Sequence, residues 1–99
     1  MIRFTDLNPR TGEPTNAQRA EWARLALDAF CLRTYGGRSF ADLEELMHGV
    51  PFGDDYTAVQ DLLTDLMHVA DQHGWNFAQM VATATSHHAE EVTLDNAAD

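Results

Sequence analysis

The chain has 99 residues, of which 44% are hydrophobic and 9% aromatic, and its formal net charge is −10. This length fits one domain with one modest hydrophobic core, and the composition excludes a chain that is disordered throughout. No apolar run reaches the roughly 18 residues that a membrane span requires. The first residues do not resemble a signal peptide, so we expect a soluble cytoplasmic protein without membrane association.

The charged residues are unevenly distributed along the chain. All six basic residues are arginines within the first 38 positions, whereas residues 39–99 contain twelve acidic residues and neither Arg nor Lys. A strongly negative surface repels the phosphates of nucleic acids, so we expect no direct nucleic-acid binding. The same charge attracts a basic surface of another protein and speeds their encounter.

Residues 1–14 lack helical periodicity and contain the turn-forming run Asn8-Pro9-Arg10-Thr11-Gly12, which predicts a short non-helical N-terminal arm. A first helix is predicted to begin at Thr15 or Asn16, because Thr15 and Gln18 fit a capping box. It is predicted to end before Gly36-Gly37. Its apolar face, widened by Leu27 and Cys31, comprises Trp22, Leu25, Ala26, Ala29 and Phe30.

A short second helix is predicted to begin after Ser39, a favourable N-cap residue, and to end at Gly49. Its inner stripe comprises Phe40, Leu43, Leu46 and Met47. A third helix is predicted to be capped by Asp54 or Asp55 and to end at Gly74. Its buried face comprises Val59, Leu62, Leu63, Leu66 and Ala70.

The fourth helix is predicted to begin after Asn76, with Gln79 at the third helical position. Its apolar face comprises Phe77, Met80, Val81 and Ala84. Residues 93–99 are predicted to form a flexible tail. The sequence thus predicts an all-α fold, a compact bundle of about four helices in a domain spanning residues 15–92.

Asp61 and Asp65 are four residues apart, so their carboxylates lie on one face of the third helix. Carboxylates at this spacing can share a divalent cation such as Mg²⁺, and His68 is a further candidate ligand or a proton carrier. The alternative is a solvated helix face, because these residues lie opposite the centre of the predicted apolar stripe.

The stretch from Asp61 to Phe77 resembles the third helix and following turn of MazG-like nucleotide pyrophosphohydrolases. Proteins of that all-α family carry Glu-Glu-x-x-Glu on one helix and Glu-x-x-Asp on the next, and these acids hold Mg²⁺ for cleavage of nucleoside triphosphates. Here Glu44-Glu45-Leu46-Met47-His48 matches the first motif with His48 replacing its last acid, and Ala58-Val59-Gln60-Asp61 matches the second with Ala58 replacing its Glu. The resemblance implies a Mg²⁺ site formed by Glu44, Glu45 and Asp61, with Asp65 or His68 assisting.

The run Arg33-Thr34-Tyr35-Gly36-Gly37 and the Asp-x3-Asp-x2-His spacing of the third helix are also similar to small helical proteins of actinobacteria and their phages. That resemblance implies a phage protein that acts on a host protein. It implies no particular activity.

The incomplete set of motif acids favours a protein-binding module over an enzyme, with no catalytic residue and no cofactor. We predict that its acidic surface docks on a basic surface of another protein. The residues predicted to form that surface are Glu44, Glu45, Asp54, Asp55, Asp61 and Asp65. Two alternatives stay open: a Mg²⁺-dependent MazG-like pyrophosphohydrolase or its inactive relative, and a homodimeric structural protein.

Overall fold

A computed structural model describes residues 12–98 of the chain. It contains four helices, α1 (Asn16–Thr34), α2 (Phe40–Leu46), α3 (Asp54–His73) and α4 (Phe77–Ala98). The described residues form no β-strand, so the predicted all-α fold with four helices is confirmed. None of the helices in this part of the chain is long and apolar enough to span a membrane. Residues 1–11, and with them most of the predicted arm, lie outside the described residues.

The chain divides into two compact units, one formed by Met1–Glu21 with Asn76–Asp99 and the other by Trp22–Trp75. In the first unit, the start of α1 is tied to α4 through Glu91. The side-chain amide of Asn16 donates to the Glu91 carbonyl oxygen at 3.1 Å, and the Arg19 guanidinium lies 3.2 Å from the Glu91 carboxylate. These polar contacts hold together two segments that are far apart in the sequence.

The second unit has a small hydrophobic core to which α1, α2 and α3 all contribute. Its buried residues are Leu27, Cys31, Phe40, Leu43 and Ala58, with Phe30, Tyr35 and Leu62 packed against them. Cys31 is fully buried, and burial, followed by the charges of Asp28 and Asp61, raises the pKa of its thiol. Since the thiolate is the reactive form, Cys31 serves as a small hydrophobic core residue.

The core matches the predicted helix faces only in part, with Phe40 and Leu43 of α2 buried as predicted. Leu27 and Cys31 are the buried residues of α1, whereas Leu25 at its predicted face is 59% exposed. On α3 the buried residues are Ala58 and Ala70, so the prediction was right for Ala70. The prediction was wrong for three other α3 residues and for Leu46 of α2, all at least 38% exposed: Val59, Leu63, Leu66 and Leu46. Small side chains at positions 31 and 58 let the helices approach closely there, which turns the larger neighbours outward.

The predicted helix starts are largely confirmed. The Thr15 hydroxyl accepts from the Gln18 amide at 3.1 Å, and the Asn76 side chain accepts from the Gln79 amide at 3.0 Å. Ser39 caps α2 in a reciprocal capping box with Asp42. The predicted cap of α3 was wrong, because Gly53 is the N-cap residue and both Asp54 and Asp55 lie within the first turn. There the two carboxylates stabilise the positive end of the helix dipole.

The fourth helix differs from the prediction in two respects. It continues to Ala98, through positions where the sequence predicts a flexible tail. Residues 93–98 contain neither Gly nor Pro that would end a helix, which explains the extension. Its predicted apolar face is also open to solvent, since Met80 and Val81 are each 45% exposed.

Candidate functional site

A groove within the unit Trp22–Trp75 brings two of the predicted acidic residues together with aromatic side chains. Its volume is about 420 Å³, and it is lined by Phe30, Thr34, Tyr35, Asp61, Thr64 and Asp65. The first two residues lie on α1 and the last three on α3, while Tyr35 directly follows α1. We call this set of six residues the acidic groove.

The acidic groove is held together by a hydrogen bond between its two walls. The Tyr35 hydroxyl donates to Oδ2 of Asp61 at 2.6 Å. This hydrogen bond favours the neutral phenol and, with smaller contributions from burial and the Asp61 charge, raises the pKa of Tyr35 to about 12. Tyr35 therefore acts as a hydrogen-bond donor that fixes the Asp61 carboxylate at neutral pH.

Asp65 lies one helical turn beyond Asp61, and its side chain is exposed. Its carboxylate makes no hydrogen bond or ion pair with any residue from 12 to 98. The two threonine hydroxyls of the groove donate to carbonyl oxygens of their own helices, Thr34 to Phe30 and Thr64 to Gln60. With their protons so engaged, the hydroxyl oxygens can only accept, so every polar side chain of the groove presents acceptors to a ligand.

The other residues of the predicted acidic surface lie outside the groove. Glu44 forms a two-pronged contact with Arg24, with Nε–Oε1 and Nη2–Oε2 distances of 3.3 and 3.4 Å. Glu45 and Asp54 are exposed, and Asp55 accepts from the Tyr56 amide at 2.9 Å. The charge of Glu44 is thus balanced within the chain, which leaves it less suited to a partner's cation than the sequence suggests.

The residues proposed for a Mg²⁺ site are not gathered into one cluster. Throughout the described part of the chain, no three His, Cys, Asp or Glu side chains lie close enough to hold a metal ion. Glu44 contacts Arg24 and Asp61 contacts Tyr35, so two of the proposed ligands already have other partners. The five residues in question are Glu44, Glu45, Asp61, Asp65 and His68.

Sequence reasoning found the two carboxylates of the groove but missed its aromatic wall. Tyr35 is 26 positions from Asp61, and no short-range periodicity links two residues that far apart. Phe30 was predicted as a core residue, and it does pack against the core while also lining the groove. The only sequence signal for this role is the position of Tyr35 at the end of the first helix, directly before Gly36-Gly37.

Comparison of this chain with models of protein families, with curated proteins and with solved structures finds no match.

Proposed function

We propose that this chain is a protein-binding module whose acidic groove accepts basic side chains from the surface of a partner protein. The observation that carries this proposal is the pairing of two carboxylates, Asp61 and Asp65, with two aromatic rings in one groove. Arginine is the side chain that such a lining fits best. Its planar guanidinium binds carboxylates with paired hydrogen bonds and stacks on aromatic rings.

The charge distribution supports the same partner chemistry. The second oxygen of Asp61 and both oxygens of Asp65 remain to accept hydrogen bonds in the groove. Outside the groove, Asp54 and Glu45 are exposed and extend the negative potential of α3 and α2. A basic surface would therefore be steered towards this acidic unit, and the encounter would slow as salt screens the charges.

The test compares two substitutions that change the net charge equally. Asp65→Asn removes a carboxylate from the groove, whereas Asp71→Asn removes an exposed carboxylate of the same helix outside the groove. With an arginine-rich peptide as the probe in isothermal titration calorimetry, we expect Asp65→Asn to weaken binding about tenfold, the size of one charged hydrogen bond. We expect Asp71→Asn to weaken it less than twofold.

Equal weakening by the two substitutions would contradict the proposal, because it would mean that the peptide responds to net charge alone. Absence of peptide binding at low salt would contradict it as well. An arginine-rich peptide bound as tightly by Asp65→Asn as by the unchanged chain would show that the acidic groove is not the binding site.

A further inference from the structure

Between Tyr56 and Met67, α3 has a second surface that is apolar and exposed. Four large residues follow one another at spacings of three, four and three positions: Tyr56, Val59, Leu63 and Leu66. This alternation is the spacing of a coiled-coil seam, in which the apolar residues of one helix pack against an equivalent row on another. Together with Met67, these residues are 38–49% exposed. We call these five residues the α3 seam.

The seam is extended by Phe52, which precedes α3. Its ring makes an edge-to-face contact with Tyr56, at 5.0 Å between ring centroids, and it is 75% exposed. Together the six side chains expose on the order of 500 Å² of mostly apolar area, at the upper end for the largest patch on a monomer. Two such patches facing one another would bury on the order of 1,000 Å², the lower bound for a specific interface.

The distribution of charge allows a second copy of the chain to occupy the seam. At about 100° per residue, Asp61 and Asp65 lie on the side of α3 away from the seam. The positions that flank a coiled-coil seam here are occupied by Asp55, Gln60, Leu62 and Val69. Asp55, in the first turn, is the only charged residue among them. Two copies of a chain with a net charge of −10 can therefore bring these faces together without opposing carboxylates along most of the contact.

The small core gives a reason for self-association. Among the described residues, the largest fully buried side chains are Leu43 and Cys31, which is little for a chain of this length. Covering the seam with a second copy would bury Leu63 and Leu66, the residues that sequence periodicity predicts to be core. From these observations we infer that the α3 seam is the contact surface for a second copy of this chain.

The two copies pair with their α3 helices antiparallel. A parallel arrangement would place the Asp54-Asp55 pairs of both copies side by side at the positive ends of two helix dipoles. Antiparallel helices separate the acidic pairs and align the dipoles favourably. Because the acidic groove faces away from the seam, the dimer would present two grooves to a partner, which raises its apparent affinity for a repeated basic surface. The inference itself does not depend on the proposed function.

The experiment measures molecular mass by light scattering over a range of protein concentrations. The unchanged chain should approach twice its mass of 11.1 kDa. Leu63→Glu, which places a charge in the middle of the seam, should return it to the monomer mass. The matched control is Leu32→Glu, on α1 outside the seam, where the leucine is similarly exposed at 52%; this variant should remain a dimer.

Circular dichroism distinguishes a folded monomer from an unfolded chain. We expect Leu63→Glu to retain the helix content of the unchanged chain. The thermal midpoint of the unchanged chain should also rise with protein concentration, and that of Leu63→Glu should not. A monomer at every concentration would overturn the inference. The inference would also be overturned if Leu63→Glu remained a dimer, or if Leu32→Glu dissociated the dimer as much as Leu63→Glu does.

Discussion

The Tyr35 hydroxyl and the Asp61 carboxylate, 26 positions apart, are joined by a hydrogen bond of 2.6 Å. This bond connects the residue after α1 to the middle of α3 and so joins the two walls of the acidic groove. It also orients one of the two carboxylates that the proposed function requires. Its consequences can be measured separately from any binding activity.

The first prediction concerns the ionisation of Tyr35, whose pKa the Asp61 hydrogen bond raises to about 12. In a Tyr56→Phe background, where Tyr35 is the remaining tyrosine, the near-ultraviolet absorbance of tyrosinate reports on Tyr35 alone. Adding Asp61→Asn should lower this pKa towards the ordinary value of 10. Asp65→Asn, which removes a carboxylate of the same groove that does not contact the phenol, should leave the pKa of Tyr35 unchanged.

The same raised pKa predicts how stability depends on pH. Because the folded chain holds the phenol proton more tightly than the unfolded chain, this contribution is fully present below the ordinary tyrosine pKa of 10. It is lost as the pH rises through about 12. Urea unfolding across this range should show a smaller loss for Tyr35→Phe than for the unchanged chain. An equal loss in both proteins would mean that groups other than Tyr35 cause the loss of stability at high pH.

The second prediction concerns the start of α2, a helix of only seven residues. The Ser39 hydroxyl accepts from the Asp42 amide at 3.0 Å, so Ser39→Ala leaves that amide without its cap. We expect a loss of about 1 kcal/mol in the free energy of unfolding, measured with denaturant. Ser86→Ala, within the exposed part of α4, is the matched control and should change it by less than about 0.5 kcal/mol. Similar losses in both variants would contradict the claim that the Ser39 hydroxyl stabilises the start of α2.

The third prediction concerns Gly53, which is buried at the start of α3. A Cβ atom there would lie 2.8 Å from both Cβ and Cγ of Met47. The Cβ of Met47 is bonded to the backbone and cannot swing aside, so Gly53→Ala should cost about 1–3 kcal/mol in unfolding free energy. Met47→Gly removes the obstructing atoms, so the double variant should lose less than the sum of the single losses. Strictly additive losses would show that Met47 is not the obstacle.

The helix ends could be predicted from the sequence far better than the helix faces. Caps and stops are local features, and Ser39, Asn76 and Gly74 act where their chemistry indicates. The faces depend on which neighbours a helix meets, and here α3 meets the core through Ala58, a residue too small to stand out in an apolar pattern. Periodicity weighted towards large residues therefore selected Leu63 and Leu66, which are exposed.

The same limitation applied to the acidic groove. The spacing of Asp61 and Asp65 was sufficient to place two carboxylates on one face of α3. Which aromatic residue they would meet depends on the packing of α1 against α3, which no local sequence feature encodes. The predicted solvated face is confirmed in that Asp61 and Asp65 are both exposed, but the prediction did not include the hydrogen bond that Asp61 accepts from Tyr35.

The most direct test of the proposed function is to locate the bound peptide on the chain by nuclear magnetic resonance. An arginine-rich peptide would be titrated into isotope-labelled protein while the backbone amide resonances are followed. We expect the largest shifts at residues 30–35 and 61–65, which line or flank the acidic groove. Shifts spread evenly over exposed acidic positions elsewhere, such as Asp42, Asp71 and Glu90, would contradict it and reduce the interaction to attraction by net charge.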